Sequence, residues 1–121
     1  MKPFKRADRI AGHVQKALSD LLRKKIKDPR LDTVTITGVR VSSDLRLARV
    51  YYSINGDQKA KTGADAGFKR AKGHIKRALA KNLGLRYMPD LQFFYDESFD
   101  YGSRIDRLLQ SINSDNEANS Q

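Results

Sequence analysis

Asp96 and Glu97 are adjacent carboxylates, His13 and His74 are the chain's two imidazoles, and Ser42 and Ser43 stand directly before Asp44. These residue types could serve acid–base, metal-ligating or nucleophilic chemistry, but their spacing argues against each. Neighbouring residues of a strand point to opposite faces, so Asp96 and Glu97 cannot share a substrate if the strand through LQFFYD continues past them. The histidines are far apart in sequence, and no carboxylate or imidazole set stands at metal-ligand spacing. The serines have no histidine at motif distance, and neither a GxGxxG nor a GxxxxGK loop occurs. With no cysteine, the chain has no disulfide or thiolate chemistry, which fits a reducing compartment. The expectation is a non-enzyme with no cofactor and no metal.

The chemistry that the sequence does carry is electrostatic. Net charge is +10, and its distribution is lopsided: residues up to Arg86 hold 22 of the 24 basic side chains and 7 of the 14 acidic ones, so they are net +15 and the remainder is net −5. A small domain with one basic region of this kind has the electrostatic footprint of a nucleic-acid binder. Its densest part is KRAKGHIKR, Lys69 to Arg77. On a helical wheel Arg70, His74, Arg77 and Lys81 share one stripe, while Lys69, Lys72 and Lys76 flank the apolar face on its other side. Gly73 lies between them, although glycine inside an exposed helix costs about 1 kcal/mol relative to alanine. A helix opened at this glycine would let its amides and the surrounding cations approach a phosphate backbone. Further basic residues are Arg6 and Arg9 near the start of the first helix, Lys24, Lys25, Lys27 and Arg30 near its end, and Arg86 beyond the second. Those at the end also complement the helix macrodipole.

The elements that must position these charges follow from hydrophobic periodicity. From Arg6 to Ile26, apolar Ile10, Val14, Ala17, Leu18, Leu21, Leu22 and Ile26 recur at helical spacing, and Pro29 in KIKDPRL forces a turn. Val34, Ile36, Val39 and Val41 alternate with a slip around Gly38, which predicts a strand with a bulge. After the SSD turn, Leu45 to Ile54 form a second strand and complete a hairpin. Asn55 to Gly67 is rich in glycine, polar and charged residues and is expected to be a loop, with Thr62 or Asp65 as helix cap. A helix with Phe68, Ala71, Ile75, Ala78, Leu79 and Leu83 on its apolar face then stops at Gly84. Leu91, Phe93 and Tyr95 alternate in a third strand, Ile105, Leu108, Leu109 and Ile112 suggest a short last helix capped near Asp100, and residues 113–121 form a disordered polar tail. This order builds one α+β domain over residues 1–112, with helices covering one face of a small sheet. Tyr51, Phe93 and Tyr95 could stack bases on the open face, but strand aromatics more often fill a core, and that is the preferred expectation. No apolar run is long enough to cross a bilayer, so the expected location is the cytoplasm, without membrane contact.

Four segments, KIKDPRL (Lys25 to Leu31), VSSDLRLARVYYSI (Val41 to Ile54), RAKGHIKRALAKNLGLR (Arg70 to Arg86) and PDLQFFYDES (Pro89 to Ser98), together resemble bacterial ribosome-binding factor A in order and spacing. The resemblance covers about Phe4 to Ile112. It implies a KH-like fold of the second type, ordered α-β-β-α(kink)α-β, in which an Ala-x-Gly kink, here Ala71, Lys72 and Gly73, replaces the usual GXXG loop. It further implies a monomeric, non-enzymatic assembly factor. Such a factor binds the free small (30S) ribosomal subunit or its precursor, assists late maturation of 16S rRNA including its 5′ end, supports growth in the cold, and works alongside other assembly factors. The RNA-binding candidates are then Arg6, Arg9, Lys24, Lys25, Lys27, Arg30, Lys69, Arg70, Lys72, Gly73, His74, Lys76, Arg77, Lys81 and Arg86. The alternative is a generic binder of single-stranded RNA or DNA on the same scaffold.

Overall fold

The computed structural model describes residues 5–98 together with 108 and 109. Helix α1 spans Lys5–Lys24 and is followed by a 3-10 turn at Pro29–Leu31, strands β1 (Val34–Val41) and β2 (Leu47–Ile54), helix α2 (Gln58–Leu83) and strand β3 (Asp90–Tyr95). The strands form one sheet in the order β1-β2-β3, with β1 antiparallel and β3 parallel to β2. The expected α+β class and hairpin are therefore present. The last expected helix and the tail lie outside the described residues, apart from Leu108 and Leu109, which are helical and exposed.

One core joins both helices to one face of the sheet. Helix α1 contributes Val14, Leu18, Leu21 and Leu22, α2 contributes Ala64, Phe68, Ile75 and Leu79, and the strands contribute Ile36, Ala48, Val50, Tyr52 and Leu91. These positions recur every three or four residues in the helices and every second residue in β2, as burial of one face demands. Full burial of a side chain such as Leu18 or Phe68 is worth roughly 1.5–3 kcal/mol. Phe93 stacks on Phe68 with ring centroids 4.4 Å apart, and Tyr95 meets Tyr52 edge-on at 5.8 Å. Phe93 and Tyr95 are thus on the core side, as preferred above. The strand alternation sends Tyr51 to the open face, where it stacks with Phe94.

The pairing of β1 with β2 shifts register between Ile36 and Gly38, which is the bulge that the slipped alternation predicted. Strand β2 begins at Leu47 rather than Leu45, because Leu45 adopts a left-handed φ of 63° inside the turn. The Ser42 hydroxyl donates to Asp44 Oδ1, which also accepts from the Arg46 amide, so side chains add to the backbone bonds Leu45 N–Ser42 O and Ser42 N–Leu47 O that close the turn.

Two expectations about α2 are corrected. The segment expected to be a loop is helical from Gln58 onward, and the cap is Asp57, whose carboxylate accepts from the Ala60 amide at 3.0 Å. Thr62 instead donates to the Gln58 carbonyl within the helix, and Asp65 pairs with Lys69. Glycine and charge obscured a helical spacing, Ala64 to Phe68 and onward, that continues the buried face. The helix also runs without interruption through Ala71, Lys72 and Gly73, so the expected break at the Ala-x-Gly positions does not occur. The backbone hydrogen bonds continue because Gly73 has no need of positive φ; the left-handed glycine is Gly84, the C-cap, at φ 64°.

Candidate nucleic-acid interface

Positions 63, 67, 70, 74, 77 and 81 form a single stripe along α2, since each lies three or four residues from the last. Its first part is shaped by close approach. A β-carbon at Gly67 would stand 3.1 Å from Leu31 Cδ2, and one at Gly63 would stand 3.8 Å from Arg30 Cγ. The 3-10 turn therefore lies directly on the glycines of α2, with Leu31 buried. Asp28 caps this turn. Its carboxylate accepts from the Arg30 backbone amide at 3.0 Å, from Nε at 3.0 Å and from a guanidinium NH2 at 2.8 Å. These hydrogen bonds hold the Asp28 carboxyl down at about 2, with a smaller contribution from the positive charge of Arg70. Arg30 is thereby fixed against α2 next to the start of the basic stripe.

The far end of the stripe meets the end of α1. A cleft of about 540 Å³ between the helices is lined by Asp20, Leu21, Lys24 and Lys25 from α1 and by Ala78, Leu79, Lys81 and Asn82 from α2. Asp20 is itself paired with Arg23 at 2.6 Å. The seam of α1, the 3-10 turn and α2 thus gathers Lys24, Lys25, Arg30, Arg70 and Lys81, with His74 and Arg77 exposed on the stripe between its two ends. Among the described residues, no ion pair engages Arg70, His74, Arg77 or Lys81. Lys27 is exposed on the segment that joins α1 to the turn.

The second lysine group is disposed differently. Lys72 and Lys76 both reach Asp90 Oδ1 at the start of β3, at 3.3 and 3.6 Å, and Lys69 pairs with Asp65 at 3.1 Å. The hydrogen bond from Lys72, supported by Lys76, lowers the Asp90 pKa. Lys72 and Lys76 tie α2 to β3, Lys69 is paired within α2, and part of the charge of the group is compensated within the fold. Arg6 and Arg9 are exposed at the opposite end of α1, roughly 25 Å from Lys24 at 1.5 Å per residue. Arg86 lies beyond the C-cap over the ring of Tyr87, 5.5 Å from its centroid. Of the fifteen candidates, the seam unites the stripe with Lys24, Lys25 and Arg30 but does not include Arg6, Arg9, Lys72 or Lys76.

Gly73 is exposed, and a β-carbon there would meet only the tip of Arg77, at 3.4 Å. Several participants escaped the sequence reading: Gly67, Asp28 and Asp90 act through partners distant in sequence or through a turn that the proline only hinted at. The exposed aromatics Tyr87 and Phe94 were also missed. Guanidinium and ammonium groups in such a seam can bind phosphodiesters by charge-assisted hydrogen bonds. Among the described residues, no three His, Cys, Asp or Glu side chains are grouped to hold a metal ion, and no helix is long and apolar enough to cross a membrane.

Comparison with known proteins gives a consistent result. A family model described as ribosome-binding factor A matches residues 6–109. A ribosome-binding factor A from Desulfatibacillum aliphaticivorans is 54% identical over 112 residues, covering 93% of this chain and 91% of that protein. The crystal structure of ribosome-binding factor A from Thermus thermophilus superposes with a TM-score of 0.65 at 27% identity, covering 74% of this chain and 93% of that one. A homology model of the Thermus thermophilus factor, fitted into a cryo-EM map of a 30S–RbfA complex, gives a TM-score of 0.61 at 28% identity, covering 72% of this chain and 91% of that one.

Proposed function

The chain belongs to the ribosome-binding factor A family, and from that premise we propose that it binds the free small (30S) ribosomal subunit or its precursor through the seam of α1, the 3-10 turn and α2. In this reading it is a cytoplasmic, monomeric, KH-like assembly factor without catalytic activity. It assists late maturation of 16S rRNA, including 5′-end processing, supports growth in the cold, and shares the precursor with other assembly factors. The observation that carries the reading is the stripe Arg70, His74, Arg77 and Lys81, which no ion pair engages among the described residues and which runs between clamped Arg30 and the Lys24–Lys25 end of α1. The fitting of a relative into a 30S complex supports the choice of partner.

Sedimentation of a cell lysate tests the partner: the chain should migrate with free small subunits and be absent from translating ribosomes. Arg77→Glu with Lys81→Glu should weaken small-subunit binding roughly tenfold or more and reduce its logarithmic salt slope by about 2, with native circular dichroism. Unchanged affinity and slope would remove the seam from the interface. Equal affinity for arbitrary oligonucleotides and an even distribution across the gradient would replace the reading with a generic nucleic-acid binder.

A further inference from the structure

The sheet has a second face, opposite the helices, and its composition is unusual for a surface without a partner. Because Val50 and Tyr52 are buried, Arg49 and Tyr51 point away from the core. Register then builds the face in rows: Gly38, Tyr51 and Phe94 lie side by side across the three strands, and the next row holds Arg40, Arg49 and Gln92. In the first row Tyr51 and Phe94 stack with centroids 5.8 Å apart and planes 30° from parallel. Phe94 is 41% exposed, and nothing stands within 4 Å of where a Gly38 β-carbon would project, so space is left beside the Tyr51 ring. In the second row, two arginines oppose each other directly across the β1–β2 pair. Like charges in that position destabilise a sheet, and among the described residues no ion pair relieves them.

We propose that this face is a second RNA-contacting surface, separate from the helical seam, which takes one or two unpaired nucleotides of single-stranded RNA. Bases stack on Tyr51 and Phe94, and the adjoining phosphates contact Arg40 and Arg49. A partly exposed aromatic pair with open space beside it suits a π-face, and base–aromatic stacking tolerates any sequence. Arginines one row away are placed for the backbone of the same strand. A groove of about 1040 Å³ follows the β1 edge of the sheet, where Arg40, Arg49 and Tyr51 meet Asp8, Ala11 and Gln15 of α1. Two carboxylates also line it. Asp96 accepts a 2.6 Å hydrogen bond from the Thr37 hydroxyl of the bulge, and Asp8 lies in the first turn of α1, where the macrodipole favours a negative charge. Asp96 is thus held by Thr37, whereas among the described residues no ion pair engages Arg40 or Arg49.

The test is titration of the isotopically labelled full chain with a single-stranded adenylate pentanucleotide, followed by amide chemical shifts. The largest changes are expected at Gly38, Arg49, Tyr51 and Phe94. Phe94→Leu, which keeps an apolar side chain, should weaken the complex about tenfold. Arg40→Gln with Arg49→Gln should weaken it similarly and lower the salt slope by about 1.4, the value for two single-strand phosphates. The seam variant Arg77→Glu with Lys81→Glu should leave these open-face shifts in place, so failure here and failure of the small-subunit reading are separable. Shifts confined to α1 and α2 overturn the proposal, as does unchanged affinity in both open-face variants. Open-face shifts produced by a ribosomal protein and not by the oligonucleotide also overturn it, because they identify a protein-docking face.

Discussion

Gly67 and Gly73 lie on the same helix, yet their surroundings differ completely. At Gly67 a β-carbon would press on buried Leu31 at 3.1–3.2 Å, whereas at Gly73 it would touch only a flexible guanidinium at 3.4 Å. The first half of α2 is an internal joint, where small residues admit the Pro29–Leu31 turn. In the second half the same stripe is an external surface, where cations are exposed and Gly73 has no close packing partner, while Ile75 and Leu79 face the core. Both halves are equally helical, so the contrast arises from what each half meets. A glycine in a basic helix therefore says little about function until its neighbour is known.

The comparison can be broken most directly at Gly67. Gly67→Val should destabilise the fold by about 1–3 kcal/mol, because Leu31 is enclosed and cannot give way without moving the turn; urea unfolding measures this, and a loss below about 0.5 kcal/mol would show that the turn is not tightly seated. The opposite sign is expected at Gly73. Gly73→Ala should stabilise by about 0.4–1 kcal/mol, since the helical backbone is already compatible with alanine and Arg77 can rotate away. A loss of stability there would reveal a backbone constraint that a continuous helix does not impose.

The smallest effect concerns the Asp28–Arg30 clamp, which holds the turn against the first half of α2. The folded Asp28 carboxyl titrates at about 2 rather than at the ordinary 3.8. A depressed carboxylate pKa contributes stability that is complete above the unfolded value and lost as pH falls through the folded one. The wild type should therefore lose this contribution between about pH 4 and 2, and Asp28→Asn should lack that part of the acid dependence. Stability curves of both proteins over this range provide the check, and identical slopes would remove the clamp.

Much of this molecule was legible because its periods are clean. Val14, Leu18, Leu21 and Leu22 mark α1, the slip at Gly38 marks the bulge, and Gly84 marks the end of α2, each through a local steric or hydrogen-bonding requirement. The segment 58–67 was misread for an equally local reason: Gly63, Gly67 and the charged or amide side chains of Gln58, Lys59, Lys61 and Asp65 resemble loop chemistry when the turn that packs on them is unseen. The site was legible as a list of cations and a wheel stripe. Lys72 and Lys76 looked equivalent to Arg77 and Lys81 until β3 brought Asp90 beside them.

By itself the sequence determined the α+β class, the hairpin, most of the buried faces and the excess of positive charge before Arg86, because periodicity and net charge are properties of the chain alone. The tertiary structure decided which cations remain available, since compensation depends on where carboxylates are brought: Asp90 of β3 offsets part of the charge of Lys72 and Lys76, and Asp28 holds Arg30 beside α2. It also decided which aromatics are open, pairing Tyr51 with Phe94 across strands while Phe93 turns to the core, because strand register assigns alternate residues to opposite faces.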